Sequence, residues 1–157
     1  METRRRVVSA KVLMEDYRRL LQEDEIEALP LIVTGSSMTP FLIDQRDKVY
    51  LKKIDSPVCP GDILLYQRDN GSYVLHRVFL ADDDCYTMIG DAQDEYEFGV
   101  QNHQLIARVV FCVRKDKRIE PGDFWWEFFA RVWLHMVPVR KLIIKFVSRL
   151  KGWGQHD

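Results

Sequence analysis

The sequence lacks any clean apolar run of the roughly twenty residues that a spanning helix needs. It also lacks paired cysteines. Cys59, Cys85 and Cys112 stand singly, with no Cys-x-x-Cys spacing, which argues against a zinc site and against a disulfide framework. Free thiols in a reducing compartment are the expectation. No glycine-rich phosphate loop and no metal-ligand spacing is present, so no cofactor is expected. There is no surplus of positive charge: 23 Lys and Arg face 24 Asp and Glu, for a formal net charge of -1. A general nucleic-acid binder should be basic, so that class is set aside. Internal repeats and low-complexity tracts are absent. Arg4-Arg5-Arg6 resembles the charged start of a signal peptide. Lys11, Glu15, Asp16, Arg18 and Arg19 interrupt the apolar stretch that should follow.

What is present reads as a mainly β domain with helical ends. Val12, Leu13, Tyr17, Leu20 and Leu21 recur at helical spacing, which predicts an amphipathic helix over residues 6–24. Pro30 ends that region and leads into a strand at Leu31–Val33. Residues 47–54 alternate and predict a half-exposed strand. Ile63–Gln67 and Ser72–Leu80 flank Arg68-Asp69-Asn70-Gly71, where Asn-Gly is a hairpin signal. Cys85–Ile89 and Leu105–Val113 complete the expected strands. Three segments follow: a helical one at 1–29, a β domain at 30–120, and helices at 121–157. A chain of 157 residues suits one domain with a sizeable core plus such appendages.

The chemistry-bearing residues lie on separate, well-punctuated segments. Gly35-Ser36-Ser37-Met38-Thr39-Pro40 puts a serine on a tight turn directly after an apolar run. Tyr73-Val74-Leu75-His76-Arg77-Val78 is a strand with one histidine. Strand alternation puts His76 with Val74 and Val78, and Arg77 on the opposite face. Gly90-Asp91-Ala92-Gln93-Asp94-Glu95-Tyr96-Glu97 is a turn crowded with carboxylates. A serine hydroxyl attacks an amide only when a base takes its proton, and a third group usually orients that base. Serine, histidine and acid are therefore the parts of a base-activated nucleophile. Taken singly, each has a plainer reading: a turn serine bonded to its own backbone, a core histidine, a solvated acidic loop.

These motifs, in this order, resemble the clan of type I signal peptidases and LexA-type self-cleaving repressors. The resemblance rests on Ser37-Met38-Thr39-Pro40, Gly61-Asp62-Ile63-Leu64-Leu65-Tyr66, the His76-Arg77 strand and Gly90-Asp91. It is closest to the Ser-His branch, as in the endoplasmic-reticulum and SipW-like signal peptidases, and to small bacterial S24/S26 family peptidases. It covers roughly residues 30–113. The resemblance implies a LexA/signal peptidase-like β fold and a serine endopeptidase acting on an extended segment of a protein or peptide, with small residues near the cut. It selects Ser37, which directly precedes Met38, over Ser36 as nucleophile, and makes the Ser37 backbone N–H a candidate oxyanion donor. His76 occupies the position of the lysine base of other relatives. Counting from the Gly-Asp pair, the orienting acid falls on Glu97, with Asp91 as second choice. Gly35 stands where some relatives carry an oxyanion-hole hydroxyl. Met38 and Phe41 are expected in the core or the substrate cleft, and Arg77 is expected to pair with an acid at Asp82–Asp84. Two other functions stay open: a non-catalytic peptide-binding module, and a self-cleaving regulator, although the sequence has no Ala-Gly cleavage dipeptide.

The last third changes character. Asp123 is an expected helix N-cap, and in residues 124–137 only Glu127, Arg131 and His135 are strongly polar. Pro138 should break that helix. Val139, Leu142, Ile143, Phe146, Val147 and Leu150 then form one face of a second helix, with Arg140, Lys141, Lys145, Arg149 and Lys151 mostly opposite. Two readings compete: packing against the β domain or a second subunit, or peripheral contact with the cytoplasmic face of a membrane. A cytoplasmic location is expected in both.

Overall fold

The computed structural model describes residues 10–23 and 26–153. Eight strands make one antiparallel sheet: β1 (Leu29–Ile32), β2 (Lys48–Lys52), β3 (Ile63–Gln67), β4 (Tyr73–Asp82), β5 (Cys85–Ile89), β6 (Glu97–Gln101), β7 (Leu105–Arg114) and β8 (Lys117–Ile119). Their order is β1-β2-β7-β3-β4-β5-β6, with β8 paired to β7. The mainly β reading holds, with an N-terminal helix and C-terminal helices around the sheet.

β3 is apolar on both faces because both faces are covered. Ile63 and Leu65 enter the main core, whereas Leu64 and Tyr66 enter a second cluster with Val78, Tyr86, Met88 and Val100. The main core also takes Met14 and Leu21 from helix α1 (Ala10–Leu21), Met38, Phe41 and Leu42 from the turn after β1, and Trp126, Phe129 and Trp133 from the C-terminal segment. All three expected segments thus share one core. Each fully buried large side chain contributes on the order of 2 kcal/mol. The helix over 6–24 is observed at Ala10–Leu21, and residues 6–9 and 24 lie outside the described ones. Met14 is the buried residue at the head of its inner face, and Leu13 is exposed.

Two strands were not legible in the sequence. β6 contains Glu97 and Gly99 and has little strand propensity, yet pairing with β5 holds it, with Tyr86 opposite Val100 and Met88 opposite Glu97. β8 follows a two-residue turn in which Lys115 and Asp116 both take positive φ, without the Asn-Gly or Asp-Gly pair that marks such turns. In the β3–β4 hairpin only Gly71 has positive φ; the Asn70 side chain instead accepts the Ser72 N–H at 3.0 Å.

The C-terminal segment is not one helix up to Pro138. A four-residue α2 (Phe124–Glu127) widens into a π-type turn (Phe128–Val132) and tightens through Trp133–His135 and Val137–Val139 before α3 (Arg140–Trp153). Asp123 precedes α2 but its carboxylate accepts the Glu120 N–H rather than capping the helix. The approach of this segment to the sheet depends on Gly61, whose φ is +96°: a Cβ there would stand 3.0 Å from the Ala130 carbonyl oxygen.

Candidate active site

Ser37 lies in the turn leaving β1. Gly35 takes φ +82° and donates its N–H to the Asp44 carboxylate at 2.8 Å. Thr39 N–H bonds Ser36 carbonyl at 3.1 Å and Leu42 N–H bonds Met38 carbonyl at 2.9 Å, so the chain coils tightly just where the serine sits. Met38, Phe41 and Leu42 are buried and pin the coil, leaving Ser37 half-buried and Ser36 exposed.

A second turn grips Ser37 from behind. Ala92 N–H donates to the Ser37 carbonyl at 2.8 Å, and a Cβ at Gly90 would stand 2.6 Å from that same oxygen. Only glycine allows the approach. The turn is fixed in its own right. Arg140, fully buried, donates to the carbonyls of Gly90 and Gln93 at 3.0 and 3.1 Å and to those of Trp133 and Leu134. The Trp133 indole N–H donates to the Asp91 carbonyl at 2.8 Å. Arg77 forks onto the Asp91 carboxylate at 2.9 and 2.8 Å, and both are fully buried. The partner of Arg77 is therefore Asp91, not an acid of the Asp82–Asp84 loop. Burial leaves a charge no alternative to a close, forked partner.

His76 lies on the other face of β4, as strand alternation requires, and only 3% of it is exposed. Its Nδ1 stands 3.3 Å from the Tyr66 hydroxyl oxygen, which donates to Glu97 Oε2 at 2.5 Å. Glu97 Oε2 is 4.0 Å from Nδ1 itself. Arg68 forks onto the same carboxylate at 2.8 and 3.0 Å. Because the Tyr66 proton goes to Glu97, a lone pair on its oxygen is left to accept Nδ1–H. That assigns the proton to Nδ1 and leaves Nε2 as the basic nitrogen. Burial pushes the His76 pKa down to about 4, against the opposing pull of Glu97. Burial alone would raise the Glu97 pKa, but the Arg68 and Tyr66 hydrogen bonds outweigh it and hold the carboxyl below its ordinary range. Burial and the Glu97 hydrogen bond push the Tyr66 hydroxyl up.

Ser37 and His76 line one cleft of about 1140 Å³, together with Met38, Leu65, Leu75 and Gln93. No hydrogen bond joins the serine to the histidine among the described residues. The structure thus brings Ser37, His76 and Met38 to a common cavity and sets Glu97 Oε2 4.0 Å from the His76 Nδ1. Asp91 is committed to Arg77. Tyr66 and Arg68 were missed by sequence reasoning. The only sequence signal was the hairpin, since folding Ile63–Gln67 onto the histidine strand sets Tyr66 opposite Val74, diagonal to His76. Among the described residues no group of three His, Cys, Asp or Glu side chains converges as a metal site.

The cleft runs between two strand edges. Among the described residues β1 pairs with β2 alone, and residues 73–76 of β4 pair with β3 alone, since β5 begins its register at Arg77. α1 closes one side through Leu13, Met14 and Tyr17. The Tyr17 hydroxyl donates to the Pro30 carbonyl on β1, and Arg18 donates to Gln67 on β3 at 2.9 Å. Comparison with protein-family models, with curated proteins and with solved structures finds no match to this chain.

Proposed function

We propose that the protein is a serine endopeptidase of the signal peptidase/LexA-like clan, with Ser37 as nucleophile and His76 as base. The observation that carries this reading is that Ser37 and His76 line the same cleft while Glu97 stands 4.0 Å from the imidazole Nδ1, linked to it by Tyr66. His76 Nε2 takes the Ser37 proton as Oγ attacks the peptide carbonyl, and later returns it to the leaving amine. Glu97, through Tyr66 and across the 4.0 Å gap, stabilises the imidazolium formed in between. The Ser37 N–H faces the developing oxyanion. An extended segment fits between the free edges of β1 and β4, adding main-chain hydrogen bonds there. The missing Ser37–His76 hydrogen bond is compatible with this scheme, because such bonds often form only with substrate present.

A second reading has its own support. The nearly complete burial of His76 and its low basicity favour a module that binds an extended peptide without cutting it. One experiment separates the two. A peptide library is incubated with the protein and with Ser37→Ala, and labelling by a fluorophosphonate is mapped by mass spectrometry. Cleavage and labelling at Ser37 that vanish in Ser37→Ala, with folding unchanged, are expected. Binding of extended peptides with no cleavage by the parent chain would establish the binding module. Loss of intact mass of the chain itself would establish self-cleavage.

A further inference from the structure

The C-terminal helix carries a surface that the peptidase reading does not use. α3 is held to the protein where Arg140 anchors its first turn in buried carbonyls and where Ile143 and Ile144 pack against the main core. The adjoining side leaves large apolar groups in water. Leu142 is 69% exposed, Phe146 63% and Leu150 54%. These three recur every four residues, so they form a stripe along one side of the helix, about 12 Å long at 1.5 Å per residue. Each is preceded by a base: Lys141-Leu142, Lys145-Phe146, Arg149-Leu150. A row of cations therefore runs directly alongside the apolar stripe. Residues 139–151 contain no acid at all, although the chain as a whole has a net charge of -1. Lys141 reaches Asp94 at 2.7 Å, which ties the start of the basic row to the body of the protein.

We propose that this stripe docks the protein onto an anionic lipid surface, with Leu142, Phe146 and Leu150 at the acyl boundary and Lys145 and Arg149 among the headgroups. The chemistry of the occupant follows from the charge. An uncharged apolar partner would leave the cationic row without a counter-charge. A second copy packed antiparallel on this face about a two-fold axis would set the cationic rows beside each other. A lipid surface with anionic headgroups satisfies both stripes at once, because long basic side chains keep their charges at headgroup level while their stems cover apolar surface. No described helix is long and apolar enough to cross the bilayer, so the contact is peripheral.

The test uses the full chain and vesicles of phosphatidylcholine with or without phosphatidylglycerol. Cosedimentation with the phosphatidylglycerol vesicles, weakening with salt, is expected. The paired substitutions Lys145→Glu/Arg149→Glu and Leu142→Gln/Phe146→Gln should each lower vesicle binding about tenfold or more. All four positions are exposed, so circular dichroism and the melting temperature should stay at the parent values. Equal binding to uncharged vesicles would overturn the proposal. So would a chain that ignores both vesicle types but forms a dimer broken by Leu142→Gln/Phe146→Gln, which would assign the face to a second copy. Because the readout is lipid binding, it stands whether or not Ser37 is a nucleophile.

Discussion

His76 is where sequence and environment differ most. An ordinary imidazole would switch near neutral pH, but burial lowers its pKa to about 4. The neutral ring is the form that accepts a proton. Activity should therefore rise with pH through a limb near 4 and be flat from mildly acidic to neutral pH, which kcat/KM against pH will show. A limb in the ordinary imidazole range would mean that the ring is solvated in the working protein. Glu97→Gln removes the charge that counters this depression, so it should move the limb further down and cut turnover by about tenfold to a hundredfold. Tyr66→Phe should lower turnover less, by about tenfold, since the carboxylate remains within 4.0 Å of the ring. Asp94→Asn, whose carboxylate pairs with Lys141, is the control expected to leave turnover unchanged. Steady-state kinetics on the three variants decide among these outcomes.

At the scale of elements, the site is a meeting of two turns. The Gly90–Gln93 turn approaches Ser37 so closely that a methyl group has no room. Gly90→Ala should displace both turns, costing about 1–3 kcal/mol as overpacking and reducing turnover along with stability. Denaturant melts and kinetics on the same preparation should move together; an unchanged midpoint would show that the turns yield without strain. The elements that the sequence blurred are those with weak local preference. Glu97–Gln101 looks like the tail of an acidic loop, and becomes a strand only because β5 offers it an edge. That pairing is also what carries Glu97 to Tyr66.

For the whole molecule, the C-terminal segment is structural support for the cleft rather than an appendage. Trp126, Phe129 and Trp133 fill the main core, and Arg140 joins the carbonyls of Trp133 and Leu134 to those of the distant Gly90–Gln93 turn. Arg140→Met should leave several buried carbonyls without donors and cost at least about 3 kcal/mol. Activity should fall with it, although Arg140 does not line the cleft. Thermal melts and turnover of this variant test the coupling; full activity with a parent-like melting temperature would show that the turn holds itself. This dependence also bears on the two competing readings of residues 124–151. Trp126, Phe129, Trp133, Leu134 and Val137 face the protein, whereas the exposed apolar surface of α3 remains for another partner.

The sequence by itself determined the strands at Ile63–Gln67 and Cys85–Ile89, the hairpin at Gly71, the opposite facing of His76 and Arg77, and the helical character of both ends. Each of these follows from periodicity or turn chemistry within a few neighbouring residues. The sequence ranks Glu97 before Asp91 as the carboxylate beside His76, but a count along a loop carries no distance, so which of them comes nearer the ring is a matter of the fold. Tertiary structure decided it. Strand order brings β6 to the end of the sheet and Glu97 to Tyr66, while the buried Arg77 draws Asp91 to the opposite face. The same holds for the bonds of Tyr66 and Arg68 to Glu97 and of Arg140 to Gly90 and Gln93, which join residues far apart in the chain. Their roles depend on strand register and core packing, and those arise only when distant segments exclude water together.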